Sequence, residues 1–183
     1  YNMPEANEKV FTHDGWLRTG DIGELDEDDF LTITDRKKDI IITSSGKNVS
    51  PSRIETVIGK DYFIEQVIAI GDGRKFLSAL VVPHFEALEA WAKENEISYD
   101  SIKTLVQDSR IVAFIAERLE EQQQELASYE KIKKFHILAE QFSQKTGELT
   151  PTLKNIRSAI SKKYQGVIDA MYKGNEADSV VRG

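Results

Sequence analysis

Two stretches of the chain carry apolar residues almost without interruption: Ile64-Glu65-Gln66-Val67-Ile68-Ala69-Ile70 and Phe76-Leu77-Ser78-Ala79-Leu80-Val81-Val82. Joined by Gly71-Asp72-Gly73-Arg74, they predict a β-hairpin, and their apolar ends predict a buried, central place in a sheet. The period then lengthens. Phe85, Leu88, Trp91 and Ala92 recur at helical spacing and predict a helix over 84–96, with His84 and Trp91 as capping and packing residues rather than ligands. A shorter helix follows over 102–107, then a long one over 109–127 whose buried stripe is Ile111, Phe114, Ile115 and Leu119 and whose acidic tail, 120–125, is an exposed polar face. Lys133-Lys134-Phe135-His136-Ile137-Leu138 reads as a third strand. Ile156, Ile160, Tyr164, Val167, Ile168 and Met171 predict one closing helix over 155–172, and 174–183 reads as a flexible tail.

Upstream the pattern is weaker. A short helix over 5–11 can start after Pro4, whose fixed φ suits a first turn. Residues 22–25 and 30–34 predict two short strands around the acidic turn Asp26-Glu27-Asp28-Asp29, and such a hairpin is marginal in water without a partner surface. The charged run Asp35-Arg36-Lys37-Lys38-Asp39 has two readings, a solvated linker or a hinge. After it, Ile40-Ile41-Ile42-Thr43 reads as a strand closed by the turn Ser44-Ser45-Gly46-Lys47-Asn48. A helix starts at Pro51 and Ser52, with Glu55 in its first turn and Ile54, Val57 and Ile58 on one side. The expected fold class is α+β: a small domain with a sheet of about three strands and several helices, preceded by a β-hairpin.

Bulk properties narrow the function classes. At 183 residues, 40% hydrophobic and 30% charged, the chain has room for one ordinary domain or a small domain with an appendage. A net charge of -7 argues against a nucleic-acid binder, whose footprint is basic. Cysteine is absent, so disulfide and thiolate chemistry are excluded. No apolar run approaches the roughly 20 residues that span a bilayer, and the default compartment is cytoplasmic. The chain opens at Tyr1 in a polar Asn/Pro/Glu stretch, as expected of a piece of a longer polypeptide.

Candidate chemistry rests on a few residues. A Walker phosphate loop is absent, and no His, Cys or carboxylate set has metal-ligand spacing. Asp21, after Thr19-Gly20, suits acceptance of hydrogen bonds from two vicinal hydroxyls, or it is a turn aspartate capping local backbone. Arg36 can donate a planar fork to a ribose or phosphate oxygen, or it forms a surface ion pair with Asp35 or Asp39. Lys154, on a Thr/Pro turn before a helix, can neutralise charge developing in a phosphoryl transfer, or it is a snorkelling helix-start lysine.

Taken together, Asp14-Gly15-Trp16-Leu17-Arg18-Thr19-Gly20-Asp21, Asp35-Arg36-Lys37-Lys38-Asp39, Ser45-Gly46-Lys47-Asn48-Val49-Ser50-Pro51 and Thr150-Pro151-Thr152-Leu153-Lys154 resemble, in order and spacing, the end of an adenylate-forming enzyme. This is the superfamily of acyl-CoA synthetases, luciferases and peptide-synthetase adenylation domains. Leu149-Thr150-Pro151-Thr152-Leu153-Lys154 and the segment from Tyr164 to Tyr172 resemble the long-chain fatty acid-CoA ligases in particular. The resemblance implies a two-step reaction: a carboxylate attacks ATP to give acyl-adenylate and pyrophosphate, then coenzyme A displaces AMP. It implies that Asp21 and Arg36 hold the adenylate ribose, Lys38 is the hinge, Lys154 is the catalytic lysine of the first step, and the loop at Ser45 and Gly46 approaches coenzyme A in the second.

Two departures stand out. The loop between Asp39 and Gly46 is slightly longer than in many shorter-chain relatives, so Ser45 and Gly46 are both carried as candidates. The usual Ser-Gly before the catalytic lysine is Thr152-Leu153 here. Residues 1–37 are then the tail of an N-terminal AMP-binding domain and 38–173 the mobile C-terminal domain. The implied partners are the rest of that N-terminal domain, fatty acid, ATP with Mg2+ held by that other domain, and coenzyme A, with room for peripheral membrane association of the parent. An aryl or medium-chain acid ligase is the alternative enzyme, and a non-catalytic α/β interaction module the alternative of another class. Because the superfamily's phosphate loop is not in this sequence, the purified chain is expected to form no acyl-adenylate from ATP and palmitate; detection of the adenylate by mass spectrometry contradicts this.

Overall fold

In the computed structural model, which describes residues 4–173, the chain divides into two compact units between Ile40 and Ile41. The second unit is built on the strand β6 (Leu77–Pro83), buried at every position. It lies between β5 (Ile64–Ile70), to which it pairs antiparallel, and β7 (Ile132–Ile137), to which it pairs parallel. A parallel pair needs a long crossover. Here it holds α3 (Phe85–Glu94), α4 (Ile102–Leu105) and α5 (Ser109–Gln122).

Strand alternation sends the side chains of β6 to two different cores. Leu77, Ala79 and Val81 join Val67, Ala69, Phe135 and Ile137 against Leu88, Ile111, Ile115 and Leu119 of the crossover helices, and against Ile54 and Ile58 of α2 (Pro51–Ile58). Leu80 and Val82 face the other way, with Ile68, Leu138, Phe142 and Leu149, under Ile160 of α6 (Arg157–Lys163) and Ile168 and Met171 of α7 (Gln165–Lys173). Helices on both faces explain the unbroken apolar run. Only β6 is central, however. β5 lies at the sheet's edge, although its sequence is almost as apolar.

Local chemistry fixes the helix ends. His84 caps α3 by accepting the Ala87 N–H at Nδ1, and Trp91 stacks on Phe114 with ring centroids 4.1 Å apart. Both roles match the sequence reading. Ser50 caps α2 with Pro51 at the first helical positions, so Glu55 falls beyond the first turn where the sequence placed it. The long helix stops at Gln122 rather than 127. Gln123, read as part of an exposed polar face, is buried; its amide accepts the Ile132 N–H at 2.8 Å and donates to the Ile132 carbonyl, anchoring the start of β7. The single closing helix is two, interrupted at Tyr164, and the flexible tail expected over 174–183 lies outside the described residues.

Before the three-stranded sheet, β3 (Ile41–Ile42) and β4 (Asn48–Val49) form a small antiparallel ladder. It is shorter than the run Ile40–Thr43 suggests, because Thr43 turns inward to organise the loop.

The first unit holds α1 (Pro4–Val10) and the antiparallel pair β1 (Asp21–Leu25) and β2 (Leu31–Arg36). The pairing register shifts after Ile22, where β2 carries an extra residue, Thr34. Gly23 is required beside it, since a Cβ there would lie 2.9 Å from the Thr32 carbonyl oxygen. Trp16, Leu25, Phe30 and Leu31 are largely exposed. Among the described residues no helix is long and apolar enough to cross a membrane.

The two-sided core makes a test. Leu80→Ala, at a fully buried position of β6, should cost about 2–5 kcal/mol in urea unfolding. Leu25→Ala, on the exposed hairpin, should stay within about 0.5 kcal/mol of the parent.

Candidate functional site

In the first unit Asp21 and Arg36 are brought together. They stand opposite each other in the β1–β2 register, and Arg36 Nε lies 3.0 Å from Asp21 Oδ1. The sequence offered Asp35 or Asp39 as an ion-pair partner for Arg36; the structure pairs it with Asp21. The Asp21 N–H donates to Thr19 Oγ1, and the Lys37 N–H closes the ladder onto the Gly20 carbonyl at 2.8 Å. With side-chain exposures of 25% for Asp21 and 57% for Arg36, such a pair contributes little stability. What the pair does is set a carboxylate acceptor beside a guanidinium donor.

Lys38 follows in an exposed turn over 37–39, where the Asp39 and Ile40 N–H groups both donate to the Arg36 carbonyl. The turn is thus closed by hydrogen bonds of its own backbone. The division between the two units falls just beyond it.

In the second unit Ser45 and Gly46 lie at the exposed tip of the β3–β4 loop. Gly46 has φ +76° with open space around its Cα, so backbone conformation favours glycine here and a ligand can approach the bare backbone. The loop is firmly based. Thr43 is buried, and its hydroxyl accepts the Lys47 N–H and bonds to Ser45 Oγ at 3.0 Å. The Ser44 N–H donates to the Arg74 carbonyl and the Gly73 N–H to the Ile42 carbonyl, tying this loop to the β5–β6 turn.

Lys154 lies on a separate hairpin turn, bounded by an antiparallel bridge between Leu149 and Asn155. Its side chain is exposed and makes no ion pair among the described residues. The turn is tight enough to force Leu153 into the left-handed region, at φ +60°. That conformation costs a non-glycine residue about 1–2 kcal/mol, and it accounts physically for the glycine usual before this lysine in the resembling enzymes. Leu153 is 69% exposed, so its own packing does not compensate.

Residues 38–176 match the family described as AMP-binding enzyme C-terminal domain. The chain belongs to that family. It is 40% identical over 169 residues to the long-chain-fatty-acid–CoA ligase FadD15 of Mycobacterium tuberculosis, covering 92% of this chain and 28% of that protein. It is 38% identical over 186 residues to long chain acyl-CoA synthetase 4 of Arabidopsis thaliana, covering 100% of this chain and again 28% of the relative. Among solved structures, the adenylation domain of the carboxylate reductase of Mycobacterium chelonae superposes with a TM-score of 0.80 at 28% identity, over 95% of this chain and 26% of that one. The corresponding domain from Segniliparus rugosus, in complex with AMP and a co-purified carboxylic acid, gives 0.78 at 26% identity over 94% and 26% of the two chains. The chain thus spans between a quarter and a third of the length of these relatives.

Within this AMP-binding enzyme C-terminal domain, the sequence reading missed the groups that anchor the Lys154 segment. Arg157 clamps both Glu55 carboxylate oxygens, at 2.5 and 2.6 Å. Together they satisfy the outer edge of β5: Glu55 accepts the Ala69 N–H at 2.8 Å and Arg157 donates to the Ala69 carbonyl. Before the turn, Glu148 is buried and takes hydrogen bonds from Lys163 Nζ at 2.8 Å, from the Ser143 N–H and from the Thr146 hydroxyl. Burial alone pushes this carboxyl up, but the three donors together hold it below the ordinary carboxylate range. Farther along, Tyr172 Oη bonds the buried Ser78 hydroxyl at 2.9 Å, and Arg74 pairs with Asp169 at 2.7 Å. Among the described residues no group of three or more His, Cys, Asp or Glu is arranged to hold a metal ion.

Two outcomes follow from these anchors. Arg157→Ala removes the guanidinium that the Glu55 carboxylate and the Ala69 carbonyl share and should cost about 2–4 kcal/mol in urea unfolding; a loss under 0.5 kcal/mol would contradict the edge role. Because the folded carboxyl of Glu148 titrates below its unfolded range, its contribution is complete above that range and is lost as pH falls from there through the lower folded value. The Glu148→Gln variant should therefore show a shallower fall of unfolding midpoint below the carboxylate range than the parent.

Proposed function

We propose that this chain is the mobile C-terminal part of an ATP-dependent, AMP-forming long-chain fatty acid-CoA ligase, together with the hairpin that ends its adenylation domain. The observation that carries the reading is Lys154: an exposed ammonium on a pinned turn, with no ion pair among the described residues, in a domain whose relatives include long-chain-fatty-acid–CoA ligases. In the first step Lys154 stabilises the negative charge that builds as the fatty carboxylate attacks the α-phosphorus and pyrophosphate departs. Asp21 accepts hydrogen bonds from the ribose hydroxyls, with Arg36 donating beside it. Magnesium, where ATP carries it, would be held by the other domain.

The second step uses the other loop. The bare backbone at Gly46 admits the pantetheine arm of coenzyme A, and the thiol displaces AMP. Lys38 is the swivel between the two states, in line with its exposed place just before the division between the two units. The exposed apolar side chains of the first unit, Trp16, Leu25, Phe30 and Leu31, fit cover by the rest of the adenylation domain.

The test uses the full-length protein that carries this chain. With palmitate, ATP and coenzyme A it should release pyrophosphate and form palmitoyl-CoA, whereas no thioester with any fatty acid from C12 to C18 would refute the ligase reading. Lys154→Ala should slow pyrophosphate release about 100- to 1000-fold while leaving thioester formation from supplied palmitoyl-adenylate near the parent rate.

A further inference from the structure

Lys154 owes its orientation to one neighbour. The Thr150 N–H donates to the Lys154 carbonyl at 2.8 Å, and Thr150 Oγ1 accepts the Lys154 N–H at 3.0 Å. Both backbone polar groups of the lysine are therefore held by a single residue. The same hydroxyl bonds to Thr152 Oγ1 at 3.1 Å, inside the turn. One rung down, the Ile156 N–H donates to the Glu148 carbonyl at 2.7 Å, on a residue whose own side chain is fixed by Lys163.

A clamp at this point has a physical purpose. Leu153, immediately before the lysine, is in the left-handed region, which a leucine leaves unless the surrounding bonds over-determine it. The Leu153 N–H donates to the Thr150 carbonyl at 2.9 Å, so Thr150 bonds both the strained residue and the lysine that follows it. Without Oγ1 the Lys154 N–H loses its acceptor. The Leu153–Lys154 peptide is then free to rotate toward the ordinary backbone basin, carrying the side chain away from its aim.

We infer that Thr150 is a positioning residue for Lys154, its hydroxyl fixing the peptide from which the lysine projects; the inference rests on the role of Lys154 given under the proposed function. Thr150 touches no substrate in this account. Its effect is confined to the step that uses Lys154, which separates it from a residue that merely supports the fold.

The experiment compares Thr150→Val, Thr150→Ser, Lys154→Ala and the Thr150→Val/Lys154→Ala double variant in the full-length protein, measuring each half-reaction separately. Valine keeps the shape and the backbone donor and removes only Oγ1. Thr150→Val should lower kcat of adenylation about 10- to 100-fold, as a small misplacement of a catalytic group does. The KM for ATP should change less than about twofold, and thioester formation from supplied acyl-adenylate should match the parent. Thr150→Ser should restore most of the rate. The double variant should be no slower than Lys154→Ala alone. Parent-like adenylation by Thr150→Val, equal losses in both half-reactions, or a further loss on top of Lys154→Ala each overturn the inference while Lys154→Ala itself stays impaired. If Lys154→Ala adenylates at the parent rate, the underlying reading of Lys154 fails instead.

Discussion

The outer edge of β5 would leave the N–H and C=O of Ala69 unpaired, and the fold meets that need with an ion pair instead of another strand. Glu55 accepts from the N–H, Arg157 donates to the carbonyl, and the two side chains bind each other. An unpaired sheet edge is both a cost in lost hydrogen bonds and an invitation to mispairing. Closing it this way also joins distant parts of the chain. Glu55 sits on the helix that follows the Gly46 loop, and Arg157 begins the helix that follows the Lys154 turn. The two loops with candidate chemistry are thus built out from one fixed point.

That arrangement suits the proposed function, in which the domain presents different loops at different stages. Each loop is exposed at its tip and locked at its base: Thr43 and the β5–β6 turn hold one, while Thr150 and the buried Glu148 hold the other. Rigid bases and bare tips let a rotating domain deliver a group accurately without refolding. The backbone strain at Leu153 belongs to the same logic, since a left-handed leucine persists only where its neighbours hold it.

The first unit obeys another rule. Its hairpin is short and its apolar side chains are largely exposed, so it gains little from its own packing. What it does fix is the pairing of Asp21 with Arg36. Fourteen residues lie between the two in sequence, and only the antiparallel register, with its irregularity beside Gly23, sets them opposite each other.

Much of the fold was legible in the residues alone. The apolar runs of β5 and β6, the third strand, the helical stripes through Leu88 and Ile115, the cap at His84 and the order of the glycine, charged and lysine-bearing segments are local patterns, and local patterns follow from backbone and side-chain periodicity. The break at Tyr164, the inward turn of Gln123 and the partnership of Glu55 with Arg157 were not legible. Each depends on where a residue far along the chain, or a sheet edge, happens to need a hydrogen bond. Asp21, Arg36, Gly46 and Lys154 could be put forward as candidates from sequence because the motifs that carry the family resemblance are contiguous in it. How Lys154 is aimed could not, because that is decided by a threonine hydroxyl across a turn whose geometry exists only once the chain has closed.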